Sequence, residues 1–147
     1  HNAEKLAVAA AAFARSAGDG PRIALVGFLG TKASGEIVRP LAACCDRAVA
    51  AEPAVYGKTP HPAADTAALL ARAGLEAEVE PNAAAALERA LERAGPSGAV
   101  LVAGSFYLAG ALRERAYPKR RVVEERTSWP GRDPGHKGDR RRVLGAR

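Results

Sequence analysis

The sequence predicts an α/β fold: a mainly parallel sheet with helices on both faces. Three observations carry that expectation. Helix-forming and strand-forming segments alternate along the first 117 residues as α-β-α-β-α-β-α-β-α. Three of the four strand candidates are continuous apolar runs, the pattern of strands covered on both sides. Helices between such short strands imply right-handed crossovers, which stack into a three-layer, Rossmann-like sandwich.

Each element follows from local chemistry. NAEKLAVAAAAFARSAG (2–18) is rich in strong helix formers, with Leu6, Ala9, Ala10 and Phe13 at helical spacing. Asn2 is a good N-cap for it and Gly18 stops it. RIALVGF (22–28) is the first strand. GEIVRPLAACC (35–45) reads as the second helix, and Pro40, which has no amide donor, limits where it can begin. RAVAA (47–51) is the second strand. PAVYGKTPHP (53–62) is dense in breakers and reads as a loop. AADTAALLARAG (63–74) is a helix closing at Gly74. LEAEVE (75–80) alternates apolar and acidic residues, as a more exposed strand does. AAAALERALERAG (83–95) places Leu87 and Leu91 on one face of a helix that Gly95-Pro96 ends. AVLVA (99–103) is the last strand and FYLAGALRERA (106–116) the last helix.

Composition bounds the rest. The chain has 147 residues, 48% hydrophobic and 26% charged, as in ordinary globular proteins. No apolar run approaches a membrane span, and acidic Glu4 with no basic leader argues against a secretory signal. A cytoplasmic protein without membrane partners is expected. Cys44 and Cys45 are adjacent, too close for an unstrained disulfide and too few for zinc, so buried, reduced helix residues are expected. With no methionine and His1 in first place, the chain reads as a piece of something longer. Residues 1–118 carry 12 basic and 12 acidic side chains, whereas residues 119–147 carry 10 and 4. The net charge of +6 therefore belongs entirely to the tail. SWPGRDPGHKGDRRR has no periodicity, so a folded domain over 1–118 and a basic, disordered tail over 119–147 are expected. That tail lacks the aromatic-basic pattern that stacks bases, so nucleic acid is not expected as a partner.

In sheets of this kind ligands sit beyond the carboxyl ends of the strands. Three segments line that edge: the loop after Gly27, the 52–62 loop and the Gly104-Ser105 corner. Gly57-Lys58-Thr59 resembles the end of a P-loop, but that motif needs a glycine where Glu52 stands, followed here by Pro53. An acidic side chain repels phosphate and proline withholds an amide, so this is no P-loop. Gly27, Gly30 and Gly35 miss the dinucleotide spacing. Lys32 between them is either a solvated side chain or a contact for a phosphate or carboxylate. Ser105 is either an ordinary N-cap or a hydroxyl presented to an anion at a helix N-terminus. Ala103 and Tyr107 stand where a nucleophile elbow needs glycines. His1, His61 and His136 form neither a credible triad nor a metal site. Taken alone, the residues support a ligand-facing edge without a complete catalytic apparatus. A stand-alone, non-catalytic nucleotide- or anion-binding module stays open at this point.

Five stretches in order then carry a resemblance. His1-Asn2 before a helix matches the end of a D-G-A-H-N-P motif, and Gly27-Phe28-Leu29-Gly30-Thr31-Lys32 matches G-x-L-x-D-K-D. The Pro-rich 52–62 loop, EPNAAAALERALERAG and VLVAGSFYLAG complete the series. Residues 1–117 thereby resemble the C-terminal domain of folylpolyglutamate synthase, in many bacteria also dihydrofolate synthase, within the Mur ligase superfamily. The resemblance implies an ATP-dependent amide ligase that phosphorylates a folate or pteroate carboxylate and couples it to L-glutamate. It implies that ATP and Mg are held mainly by an upstream P-loop domain of the same polypeptide, without which this chain is inactive. It places His1 near ATP with Asn2 capping the first helix, and Lys32 at a phosphate or carboxylate. It places Ser105, with Phe106 and Tyr107, at the incoming glutamate. His61 is a loop candidate, standing where the family often has arginine. The motifs also differ: Thr31 and Ala33 replace the aspartates of D-K-D, and Ala3 the proline after Asn2.

Overall fold

The structure, a computed structural model, describes residues 3–30, 34–124, 126 and 143–145. The apolar runs form the middle of the sheet. β1 (Arg22–Gly27), β2 (Arg47–Glu52) and β4 (Ala99–Gly104) each bury at least four consecutive residues. The acidic-alternating β3 (Ala77–Asn82) takes an edge, where its half-exposed side chains can face water. All pairings are parallel, in the order β3-β2-β1-β4, with a short fifth strand beyond β4.

Side-chain alternation along the strands sorts the helices into two layers. Ala24 and Val26 of β1 and Leu101 of β4 point into one core. That core is closed by α1 (Ala3–Ser16) through Leu6 and Phe13, α2 (Gly35–Ala42) through Val38 and Leu41, and α3 (Ala63–Arg72) through Leu70. Ile23, Leu25, Val100 and Val102 point the other way. They are covered by Ala86, Leu87 and Ala90 of α4 (Ala83–Ala94) and by Leu108 and Leu112 of α5 (Phe106–Ala116). The three-layer parallel α/β expectation is met. Phe13 is 1% exposed in the first core. Phe13→Ala is expected to cost about 3–5 kcal/mol, because the cavity it leaves is walled by sheet and helix. Urea unfolding checks it.

Several boundaries differ from the sequence reading. α2 starts at Gly35 as expected, with Pro40 inside it, but its far end differs. The second helix ends before the cysteines. The backbone turns after Leu41, whose carbonyl accepts from both the Cys44 and Cys45 amides, so both thiols sit in the turn. They are buried, free, and 3.6 Å apart. The bond between them holds the Cys44 thiol below its ordinary range, while the same bond and burial push the Cys45 thiol well up. β3 begins at Ala77 and not Leu75. Gly74 turns with φ +90, Leu75 donates back to the Leu70 carbonyl, and its side chain drops into the core.

Two short elements lie among the described residues of 119–147. α6 (Lys119–Glu124) forms after Pro118, and β5 (Val143–Gly145) pairs with β4. A buried anchor explains the first: Tyr117 is 4% exposed, and the Arg113 and Arg121 guanidinium groups lie 5.2 and 5.6 Å from its ring centre. The open hydrogen-bonding edge of β4 explains the second.

Candidate functional site

β1 and β4 are neighbours, but the helices that leave them go to opposite faces: α2 follows β1 into one layer and α5 follows β4 into the other. A crevice opens between two such loops at the carboxyl edge, and it is where ligands bind in open parallel sheets. Its floor is two glycines in register, Gly27 opposite Gly104. Gly104 has φ +102, and a Cβ placed there would overlap the Gly27 carbonyl oxygen. Two backbones thus approach where no side chain fits.

Ser105 follows. Its extended backbone makes it the N-cap of α5, and its Oγ accepts the Tyr107 amide at 3.2 Å. Ser105 is 3% exposed, but the next two side chains are not covered: Phe106 is 59% and Tyr107 46% exposed. A buried hydroxyl thus lies behind two outward aromatic rings.

The 52–62 loop is tied to this corner. Lys58 Nζ donates to Tyr107 Oη at 3.1 Å and lies 4.8 Å from the centre of its ring. The Gly30 amide donates to the Thr59 carbonyl at 2.9 Å and the His61 amide to the Phe28 carbonyl at 3.0 Å, around an antiparallel bridge between Leu29 and Pro60. Glu52, at the end of β2, accepts the Ala63 amide at 2.9 Å and so covers the start of α3. A cleft of about 590 Å³ opens alongside, between Lys58, Pro60, Asn82 at the head of α4 and Leu112 of α5. Lys58→Met is expected to cost at most about 1 kcal/mol, the scale of an exposed cation–ring contact, in denaturant unfolding.

The site residues expected from sequence fall into two groups. Ser105, Phe106 and Tyr107 stand together at the corner, with His61 on the loop facing it. Its Nε2 is buried without a hydrogen-bond partner among the described residues. His1, Asn2 and Lys32 lie outside the described residues, as does His136. Lys58 and Glu52 entered the sequence reading only as parts of a failed P-loop. Nothing local could have revealed the Lys58 contact, since its partner is 49 residues away. Among the described residues no group of three or more His, Cys, Asp or Glu could hold a metal ion.

Residues 1–106 match the family described as Mur ligase, glutamate ligase domain. The chain belongs to that family. The match runs through both facing glycines and ends at the corner, on Phe106. Among solved structures, this glutamate ligase domain is similar to "E.coli FolC in complex with DHPP and ADP", with a TM-score of 0.67 and 22% identity. The likeness covers 82% of this domain and 28% of that chain, so the domain spans under a third of the FolC length. At that identity it shows the fold. No curated protein matches the sequence. Among the described residues of this ligase domain, no helix is long and apolar enough to cross a membrane.

Proposed function

We propose that this chain is the glutamate-accepting domain of an ATP-dependent carboxylate–amine ligase of the folylpolyglutamate synthase kind, working in the cytoplasm. The observation that carries the reading is the family match running up to a corner built as an anion seat: facing glycines, a capping serine and a helix N-terminus. FolC, which shares the fold, has been solved in complex with DHPP and ADP. A folate or pteroate carboxylate, activated as an acyl phosphate, is the electrophile. The amine of L-glutamate attacks its acyl carbon; a C–N bond forms, the C–O bond to phosphate breaks, and the amine loses a proton.

This chain's part is to hold glutamate and shut out water. The Ser105 hydroxyl and the first amides of α5 hold a glutamate carboxylate, and the exposed Phe106 and Tyr107 meet the rest of the ligase. Lys32 touches a phosphate or carboxylate, and His1 and Asn2 lie near ATP. His61 steadies the loop beside the site. Closing the domain over the acyl phosphate protects it from hydrolysis. The resemblance to folylpolyglutamate synthase implies that ATP and Mg are held mainly by an upstream P-loop domain of the same polypeptide, and Glu52 and Pro53, standing where this chain would need a P-loop, are consistent with that. The chain alone is then inactive.

The test is glutamate-dependent ADP release by the whole encoded polypeptide, with dihydropteroate or a folate as acceptor. Release that needs both glutamate and the pterin supports the reading. Its absence with every pterin tried, together with ATP binding by this chain alone in calorimetry, would instead make it a non-catalytic nucleotide-binding module.

A further inference from the structure

The candidate site lies at the carboxyl edge of the sheet and calls on no thiol. At the opposite edge, in the turn that leads from α2 into β2, Cys44 and Cys45 are free and in contact, their sulfurs 3.6 Å apart. Neighbouring side chains ordinarily diverge, by about 100° around a helix and to opposite faces of a strand. Here the Leu41 carbonyl accepts both the Cys44 and the Cys45 amide, and the tightened turn sets both thiols on one side. The two residues are 8% and 7% exposed, yet Ala43 and Asp46 around them are exposed, so the pair lies directly beneath the surface.

Two sulfurs held this way make a bidentate ligand, and their spacing selects the atom they can hold. With bonds to sulfur of about 2.3 Å, a separation of 3.6 Å closes an angle of about 100° at the bound atom. A linear two-coordinate ion such as cuprous copper would need the sulfurs about 4.6 Å apart on the same bond length. Tetrahedral zinc accepts the angle but needs two further ligands. Among the described residues no group of three or more His, Cys, Asp or Glu supplies them. A disulfide is strained between adjacent residues. Trivalent arsenic, by contrast, forms three bonds in a pyramid, and two thiolates with one group of its own complete it.

We propose that Cys44 and Cys45 form a chelating site for a trivalent arsenical. With phenylarsine oxide, two As–S bonds form and the bond from arsenic to oxygen is lost. Both thiols give up their protons, and the oxygen leaves with them as water. Arsenic stays trivalent, so no oxidant or reductant is needed. Cys44 attacks first: its bond with Cys45, aided by the Arg22 charge and opposed by burial, holds its thiol below the ordinary range. Cys45 then closes the ring from within contact distance. This inference stands apart from the ligase reading and needs no substrate.

The experiment adds phenylarsine oxide to the full chain and reads intact mass under native conditions and the thermal midpoint, with a zinc salt in a parallel sample. One arsenical per chain is expected, retained against excess monothiol and removed by a small dithiol. The midpoint is expected to rise by about 5 °C, because a preformed site binds the folded chain in preference to the unfolded one. Zinc is expected to wash out. Cys44→Ala and Cys45→Ala are each expected to lose the arsenical to monothiol. Should either unfold by circular dichroism, the serine variant takes its place. No uptake by the folded chain, or a midpoint that stays or falls, overturns the proposal. So does zinc that stays bound, or a single-cysteine variant that keeps its arsenical against monothiol.

Discussion

Gly104→Ala is expected to remove about 3–5 kcal/mol of unfolding free energy, a large share of what a domain of this size possesses. Two costs act together. A non-glycine residue at φ +102 is held outside its allowed backbone regions, which costs about 1–3 kcal/mol. The added methyl also overlaps the Gly27 carbonyl, and that carbonyl belongs to the neighbouring strand, so it cannot swing aside as a side chain would. Either β1 and β4 part at their carboxyl ends or the corner re-forms elsewhere. Gly110→Ala is the control. Gly110 is exposed on α5 with nothing within 4 Å of a new Cβ, so alanine there is expected to stabilise by about 0.5–1 kcal/mol. Urea unfolding of the two variants should move in opposite directions.

Ser105→Ala has the larger consequence for activity. As a cap alone, the hydroxyl is worth about 1 kcal/mol of stability, and its loss would leave substrate constants unmoved. As a donor to a glutamate carboxylate it makes a charged hydrogen bond, worth about 1.5–3 kcal/mol, and kcat/KM for L-glutamate should fall about 10- to 100-fold. The KM for ATP should not change. Ser105→Asn separates the roles, since asparagine caps as well as serine but places its polar atoms differently. Stability is expected to return with Asn while the glutamate defect persists. An Asn variant with full glutamate kinetics would leave Ser105 as a cap and nothing more.

The fold was legible because most of its determinants are local. β1, β2 and β4 announce themselves as apolar runs, and α5 falls on the residues expected of it, 106–116, between a capping serine and its last alanine. The misjudged boundaries share a cause. The apolar side chain of Leu75 reads as strand, but a backbone turn at Gly74 puts it in the core before the strand begins. Nothing in the identities of Cys44 and Cys45 marks a turn, so the sequence extends the helix through them. The candidate site was legible only in part. Ser105 is recognisable as a cap between an apolar strand and a helix. Its surroundings are not, because the contact of Lys58 with Tyr107 exists only once β2 and β4 have both been placed beside β1. The same holds for β5: Val143–Gly145 lacks the length to read as a strand, and it becomes one only against an edge that a distant segment supplies.

The start of α3 has a consequence for the order in which the chain folds. Its N-cap position is Pro62, which offers no side-chain acceptor, and the amide of Ala63 is taken by Glu52, eleven residues earlier and at the end of β2. Most helices carry their own start signal; this one borrows it. A peptide of residues 60–75 would have the alanines and leucines for a helix yet no acceptor for its first turn, and a helix this short is marginal without one. The first turn of α3 therefore waits for β2. Opening of the 53–62 loop and fraying of α3 become one event, so the loop beside the candidate site moves with a helix rather than as a free flap.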